Sequence, residues 1–150
     1  MKRGLLDVNV LVALLDPNHP NHEEAHEWFG ANRRRGWATC PTTINGCVRV
    51  LSHPSYPTVS ATAAEVVERL RTMCSGAGHL FWSEETTLLD KTRFRVELIP
   101  GSRAATDVYL LGVAVHHGGR LVSFDRSIPL KAVAGAEAGD LVVLGGGNKG

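Results

Sequence analysis

What most constrains this chain is a rhythm. Short apolar runs recur, each too brief for a helix, with helical stretches between them. Leu5-Leu6-Asp7-Val8, Trp37-Ala38-Thr39-Cys40, His79-Leu80-Phe81-Trp82, Arg120-Leu121-Val122-Ser123-Phe124 and Leu141 to Leu144 read as short strands. Strands that are apolar on consecutive positions and alternate with helices belong in a parallel sheet buried on both faces. The expectation is one α/β domain, a short parallel sheet of five strands covered by helices on both faces.

The helical stretches carry their own punctuation. Val10 to Leu15 is apolar on all sides and reads as a buried helix, and Asp16-Pro17-Asn18-His19-Pro20 is a loop by its breakers. Asn21 is placed to cap a helix from His22 to Arg35, with Glu23 and Glu24 in its first turn and three arginines at its end. That charge order suits the helix dipole. Pro41 with Thr42 or Thr43 opens a helix through Leu51. Ser60 is expected to cap a helix from Ala61 to Cys74, and Thr106 a strongly apolar one from Asp107 to His117 that Gly118-Gly119 ends. The stretch 83–103 shows no clear period.

The chain has 150 residues, the size of one domain. Such a chain buries roughly two-thirds of its unfolded surface and needs no disulfide or structural metal to fold. Residues 1–144 are expected to form the domain and 145–150 a flexible glycine-rich tail. A net charge of +1 neither demands nor excludes a nucleic-acid partner. Cys40, Cys47 and Cys74 show no C-x-x-C spacing and read as reduced thiols of a cytoplasmic protein. Met1-Lys2-Arg3 before an apolar run has the look of a signal peptide, but Asp7 and Asn9 interrupt the run and no small-residue cleavage site follows. No uncharged run of about 18 residues is present, so no membrane-spanning helix is expected.

Three carboxylates stand where such a fold does chemistry. Asp7 and Asp125 end the first and fourth strands, and Asp107 opens a helix. In open parallel sheets, ligands bind beyond the carboxyl ends of the strands. Three carboxylates converging there repel one another, so without a cation at least one holds a proton. Hard oxygen ligands suit Mg²⁺ or Mn²⁺, ions that activate water and stabilise the departing oxygen in phosphodiester cleavage. Taken singly, Asp7 is equally a strand terminator and Asp107 a dipole-favoured helix residue. Taken together they favour a metal site.

Around them stand secondary candidates. Asn9 is placed to orient Asp7 or to satisfy a turn. Thr43 and Ser123 sit beside acidic positions, where they hold water or phosphate or else serve as a helix cap and a strand residue. Arg49 and Arg126 are better placed for RNA phosphates than Arg33, Arg34 and Arg35, which the helix dipole already explains. Glu84 or Glu85 approaches the site from the third strand's end or remains a surface acid. His19, His22 and His26 invite zinc, yet nothing completes the set, and a solvated helix face is the better account. Trp28, Trp37, Trp82 and Phe81 read as core or interface residues.

Leu5-Leu6-Asp7-Val8-Asn9-Val10-Leu11-Val12 resembles the opening of PIN domains. Thr106-Asp107-Val108-Tyr109-Leu110-Leu111-Gly112-Val113-Ala114 resembles their third acidic motif, and Gly118-Gly119-Arg120-Leu121-Val122-Ser123-Phe124-Asp125-Arg126 their fourth. Order and separation match over nearly the whole chain, and the likeness is strongest to VapC-type toxins of bacterial toxin–antitoxin pairs. The resemblance implies a Mg²⁺-dependent endoribonuclease, leaving 5′-phosphate and 3′-hydroxyl ends, with Asp7, Asp107 and Asp125 as catalytic metal ligands. It also implies an antitoxin that silences the toxin, an RNA substrate and a homodimer. One position departs. In Thr42-Thr43-Ile44-Asn45-Gly46-Cys47-Val48-Arg49-Val50, Ile44 stands where the family carries a Glu, with Asn45 beside it as a partial substitute. The helix is expected to aim position 44 at the acidic cluster, so that the chain cleaves weakly and Ile44→Glu raises cleavage. A non-catalytic module that binds antitoxin or RNA is the alternative. Asp7-Val8-Asn9 also faintly resembles the nucleophile motif of haloacid-dehalogenase-type phosphatases, but Asn9 replaces its second Asp and no lysine motif follows.

Overall fold

A computed structural model describes residues 2–145. Five strands form one sheet: β1 (Gly4–Leu6), β2 (Trp37–Thr39), β3 (His79–Phe81), β4 (Arg120–Ser123) and β5 (Leu141–Val143). All neighbouring pairs are parallel, and the order is β3-β2-β1-β4-β5. The expected parallel sheet is therefore present. Its central strands β1, β2 and β4 are apolar on consecutive positions because successive side chains go to opposite faces and both faces are dry there. Leu6, Trp37 and Val122 join one apolar cluster, while Leu5, Ala38 and Leu121 join the other.

Helices α1 (Val8–Leu15), α2 (His22–Asn32), α3 (Pro41–Leu51) and α4 (Ala63–Cys74) contribute to the first cluster, and α5 (Ala105–His116) to the second. The chain runs β1 to β2 to β3 outward in one direction, then returns to place β4 on the other side of β1. Successive right-handed crossovers in opposite directions put their helices on opposite faces. The reversal falls between β1 and β4, so a crevice is expected at their carboxyl ends.

Helix boundaries shift in instructive ways. The first strand stops at Leu6, and Asp7 becomes the N-cap of α1, its side chain accepting from the Val8 N–H at 2.7 Å. Thr62, rather than Ser60, caps α4 in a reciprocal pair with Glu65. Thr106 caps nothing: a tight turn at Ser102–Ala104 runs straight into α5, which leaves Thr106 inside its first turn. Helix α2 ends at Asn32 and tightens into a turn over Arg33–Arg35, and Asn21 precedes it without a side-chain cap bond. Stretch 83–103 is mostly irregular, tied down by a bridge between Phe94 and Val133. Of the expected tail, residues 146–150 lie outside the described residues.

One glycine sets the spacing near the site. A Cβ on Gly46 would lie 2.6 Å from a Val8 methyl. Helix α3 therefore packs directly on the start of α1, next to Asp7, only because that position has no side chain.

Candidate active site

Asp7 follows β1 and Asp125 follows β4, the two strands at the reversal, and Asp107 reaches the same end from the first turn of α5. A cleft of about 740 Å³ opens there. Asn9, Pro100, Arg103, Asp107, Phe124 and Asp125 are among its walls.

Ser123 holds the cluster together. Its hydroxyl donates to Asp7 Oδ2 at 2.6 Å, and accepts from Asn9 Nδ2 at 3.3 Å and from the Asp125 N–H at 3.0 Å. One donor and two acceptor sites are all a hydroxyl has. Asn9 Oδ1 accepts from the Phe124 N–H at 3.2 Å, which ties α1 to the end of β4. Asp125 Oδ1 accepts from the Ser127 N–H at 2.9 Å and from the Ser127 hydroxyl at 2.7 Å.

The protons follow from these surroundings. Burial pushes the Asp7 carboxyl up, against the pull of its bonds from Ser123 and Val8. Asp107 is pushed up to about 7, first by burial, then by its hydrogen bond with Asp125 and the charges of Asp7 and Asp125. Asp125 is held low, first by that same bond with Asp107, then by Ser127. The proton of the pair thus rests on Asp107 and is donated to Asp125. A carboxyl half protonated near neutrality because it is buried, and because acids surround it, is a place where a cation is favoured.

The donor set is all hard oxygen, which fits Mg²⁺ or Mn²⁺. Among the described residues, however, no three His, Cys, Asp or Glu side chains already form a coordinating group. Asp7 is buried, and both of its oxygens face protein donors, Val8 N–H and the Ser123 hydroxyl. Each oxygen keeps a second lone pair for an ion.

A model of the PIN domain matches residues 4–135. The chain belongs to the PIN domain family. It is 44% identical over 142 residues to a protein of Mycobacterium tuberculosis named ribonuclease VapC44, an alignment covering 95% of this chain and 99% of that one. Identity is 42% over 132 residues to ribonuclease VapC39 of the same organism, covering 88% and 95%. In fold it is similar to the crystal structure of Mycobacterium tuberculosis VapC20, described as a sarcin-ricin loop cleaving toxin, with a TM-score of 0.58 at 11% identity, over 83% of this chain and 92% of that one.

Within this PIN domain the secondary candidates separate. Asn9 and Ser123 stand inside the acidic network. Thr43 does not: buried, it caps α3, donating to the Cys40 carbonyl and accepting from the Cys40 N–H, both at 3.0 Å. Asn45 and Arg49 are exposed on α3 and are not among the cleft's lining residues. Arg126 donates to the Gly145 carbonyl at 3.4 Å.

Ile44 is turned elsewhere, contrary to its expected aim. It packs against the first apolar cluster and lines a second hollow of about 230 Å³ with Val67, Leu70, Cys74, His79 and Phe81. An aliphatic side chain in the first turn of α3 lowers its free energy by covering α4 and β3, not by facing carboxylates. Glu84 comes to the start of α3 instead. Its carboxylate accepts from the Thr42 N–H at 2.7 Å, the Thr42 hydroxyl at 3.0 Å and the Tyr109 hydroxyl at 2.6 Å, and those bonds, against its burial, hold it low.

The histidines are accounted for by α1. A ring nitrogen of His22 lies 2.7 Å from the Ala13 carbonyl and one of His26 3.0 Å from that of Leu14, so both serve the open end of that helix. Trp37 and Trp82 are core residues, while Phe81 is exposed. Pattern reading missed the stretch 100–104 of the cleft wall, which includes Arg103, and also Phe124 and Ser127. Only Ser127 carried a signal, the Asp-x-Ser spacing of a side-chain-closed turn.

Proposed function

We propose that this PIN domain is a Mg²⁺- or Mn²⁺-dependent endoribonuclease, the toxin of a VapC-type toxin–antitoxin pair. The observation that carries the proposal is the acidic cleft at the sheet's reversal, where Asp107 is driven up to about 7 by burial and by Asp125 and Asp7. The names of the relatives, ribonucleases VapC44 and VapC39, support RNA as substrate.

Asp7, Asp107 and Asp125 would hold the ion. When bound, it supplies activation of water and shielding of the phosphate's charge. Asp125 is already ionised and is kept in place by Ser127. Asp7 is kept in place by Ser123. A bound cation would favour the ionised form of Asp107, so metal affinity is expected to rise with pH until about 7. Position 44 contributes no carboxylate, and three aspartates hold one ion better than two. The expected products carry 5′-phosphate and 3′-hydroxyl ends. An antitoxin protein would hold the enzyme silent in the cytoplasm, and a homodimer is the expected assembly.

A second reading, a module that binds antitoxin or RNA and cleaves little, is favoured by one feature: Ile44 leaves the acid set one carboxylate short. A time course of labelled-RNA cleavage, with and without Mg²⁺ and with Asp7→Asn as control, separates the two. Cleavage that needs both Mg²⁺ and Asp7 supports the enzyme; stable binding without cleavage supports the module. Millimolar Mn²⁺ is expected to raise Tm, since it binds only the folded cluster. An unchanged melting curve would count against an intact metal site.

A further inference from the structure

The acidic cleft poses a problem for a polyanionic substrate. Its wall carries Asp107 and Asp125, with Asp7 behind, and one cation: Arg103 is the sole basic side chain among its described lining residues. Several arginines elsewhere are engaged. Arg33 lies over the Phe29 ring, Arg120 over Trp28, and Arg71 pairs with Glu68. Arg69 donates to the Leu15 carbonyl, and Arg93 faces Asp90.

Arg103 is different. It is exposed and makes no hydrogen bond or ion pair among the described residues, while its charge acts on Asp125. Its backbone is nevertheless fixed. Ala104 beside it is buried, its N–H donates to the Gly101 carbonyl at 3.1 Å, and the turn continues directly into α5, whose first turn carries Asp107. Five N–H donors in a planar fork thus stand at the lining of an acidic cleft, with no hydrogen-bond partner among the described residues. That fork matches the two free oxygens of a phosphodiester.

We propose that Arg103 grips a backbone phosphate of single-stranded RNA adjacent to the scissile one, and so sets the strand's register over Asp107 and Asp125. The proposal rests on the ribonuclease reading for the cleavage step, but not for binding itself. Arg103 is a positioning residue: it fixes where the strand lies, and the aspartates act on the next phosphate.

The test uses the full chain with a short, fluorescently labelled single-stranded RNA pool. Binding is read by anisotropy in an Asp107→Asn background across a salt series, and cleavage by time course in the parent. Arg103→Ala is expected to raise Kd and KM about tenfold, worth about 1.4 kcal/mol, with kcat changed far less. One lost phosphate contact on a single strand lowers the slope of log Kd against log salt by about 0.7. Arg103→Lys is expected to restore the slope but not all the affinity, because an ammonium lacks the fork. Arg71→Ala makes the same charge change away from the cleft and is expected to leave the slope alone. Parent-like slope and KM in Arg103→Ala would overturn the proposal, as would an equal effect from Arg71→Ala. If the parent binds RNA through an Arg103-dependent slope yet never cleaves, the phosphate grip stands and the ribonuclease reading falls. If the parent neither binds nor cleaves, both fall.

Discussion

Two hollows in this molecule take residues from the carboxyl ends of strands, and they are built from opposite materials. One, between the ends of β1 and β4, is walled by Asp107, Asp125, Asn9 and Arg103. The other, beside β2 and β3, is walled by Ile44, Val67, Leu70, Cys74 and Phe81. The difference follows from topology. Strands β1, β2 and β3 follow one another in a single direction, so α3 and α4 pack on that side and line its hollow with carbon, although the hollow still opens to solvent past the exposed Phe81. Between β1 and β4 the chain reverses, the flanking segments diverge, and the gap stays open to water. Position 44 belongs to the apolar side, which is why an isoleucine is at ease in it.

The comparison is broken most forcefully at Asp107. Asp107→Asn is expected to lower Mg²⁺-dependent cleavage by about a hundredfold or more, roughly 2.7 kcal/mol of transition-state stabilisation. Stability should not fall with it. Asp107 is raised from an ordinary 3.8 to about 7, so between those values the folded chain binds more protons than the unfolded one. Its contribution to metal-free stability is therefore present below about 4 and lost as pH rises through about 7. Asparagine cannot titrate and should flatten that decline. Melts at acidic and mildly alkaline pH, without metal, check the sign. Parent-like cleavage in Asp107→Asn would move the chemistry out of the acidic hollow.

Ser123→Ala should have a smaller effect. It strips Asp7 of its donor and leaves the Asp125 N–H and Asn9 Nδ2 without their shared acceptor. A buried network that loses its hub costs about 1–3 kcal/mol, and cleavage is expected to fall about tenfold as Asp7 loses its fixed orientation. A threonine at the same position keeps the hydroxyl and should recover most of the rate. Failure of that rescue would mean that Ser123 matters for its volume in the strand rather than for its bonds.

The centre of the sheet was legible in the sequence because both its faces are dry there. Leu5 and Leu6 are each buried, on opposite sides, so consecutive apolar residues mark such a strand without ambiguity. Asp7 and Asp125 were legible for the same reason, as the first charges after those runs. Caps were harder. Ser60, Thr62 and Thr106 are all plausible N-caps by residue type, and only the Thr62–Glu65 reciprocity distinguishes the one that acts. Arg103 could not be seen at all, because it sits in stretch 83–103, whose bridge between Phe94 and Val133 joins residues distant in the chain. The aim of Ile44 was not legible either, because a helix position specifies a direction only once its neighbours are known. Gly46 against Val8 turns one face of α3 to α1, and Ile44 is thereby carried toward α4.

Ile44→Glu tests whether the two hollows are truly separate, and its expected effect is the smallest. A carboxylate in the pose of Ile44 would face Val67 and Leu70. Half-buried among carbon, it loses hydration without gaining a donor, a cost of about 1 kcal/mol. Arg71 lines the same hollow and offers partial relief, though its guanidinium is already paired with Glu68. Turning instead toward Asp107 and Asp125 would add a fourth carboxyl group to a cluster that already keeps a proton on Asp107 near neutrality. Without metal that pose is unfavourable; with Mg²⁺ it becomes less so. The expected result is a lower Tm without metal, a partial recovery of it with Mg²⁺, and a change in cleavage of less than about tenfold, under about 1.4 kcal/mol. A larger gain would show that the side chain leaves the apolar hollow when the cation is present. Position 44 would then belong to the acidic site despite its place on the apolar side of the sheet, and the chain with isoleucine would carry an impaired version of a four-acid cluster.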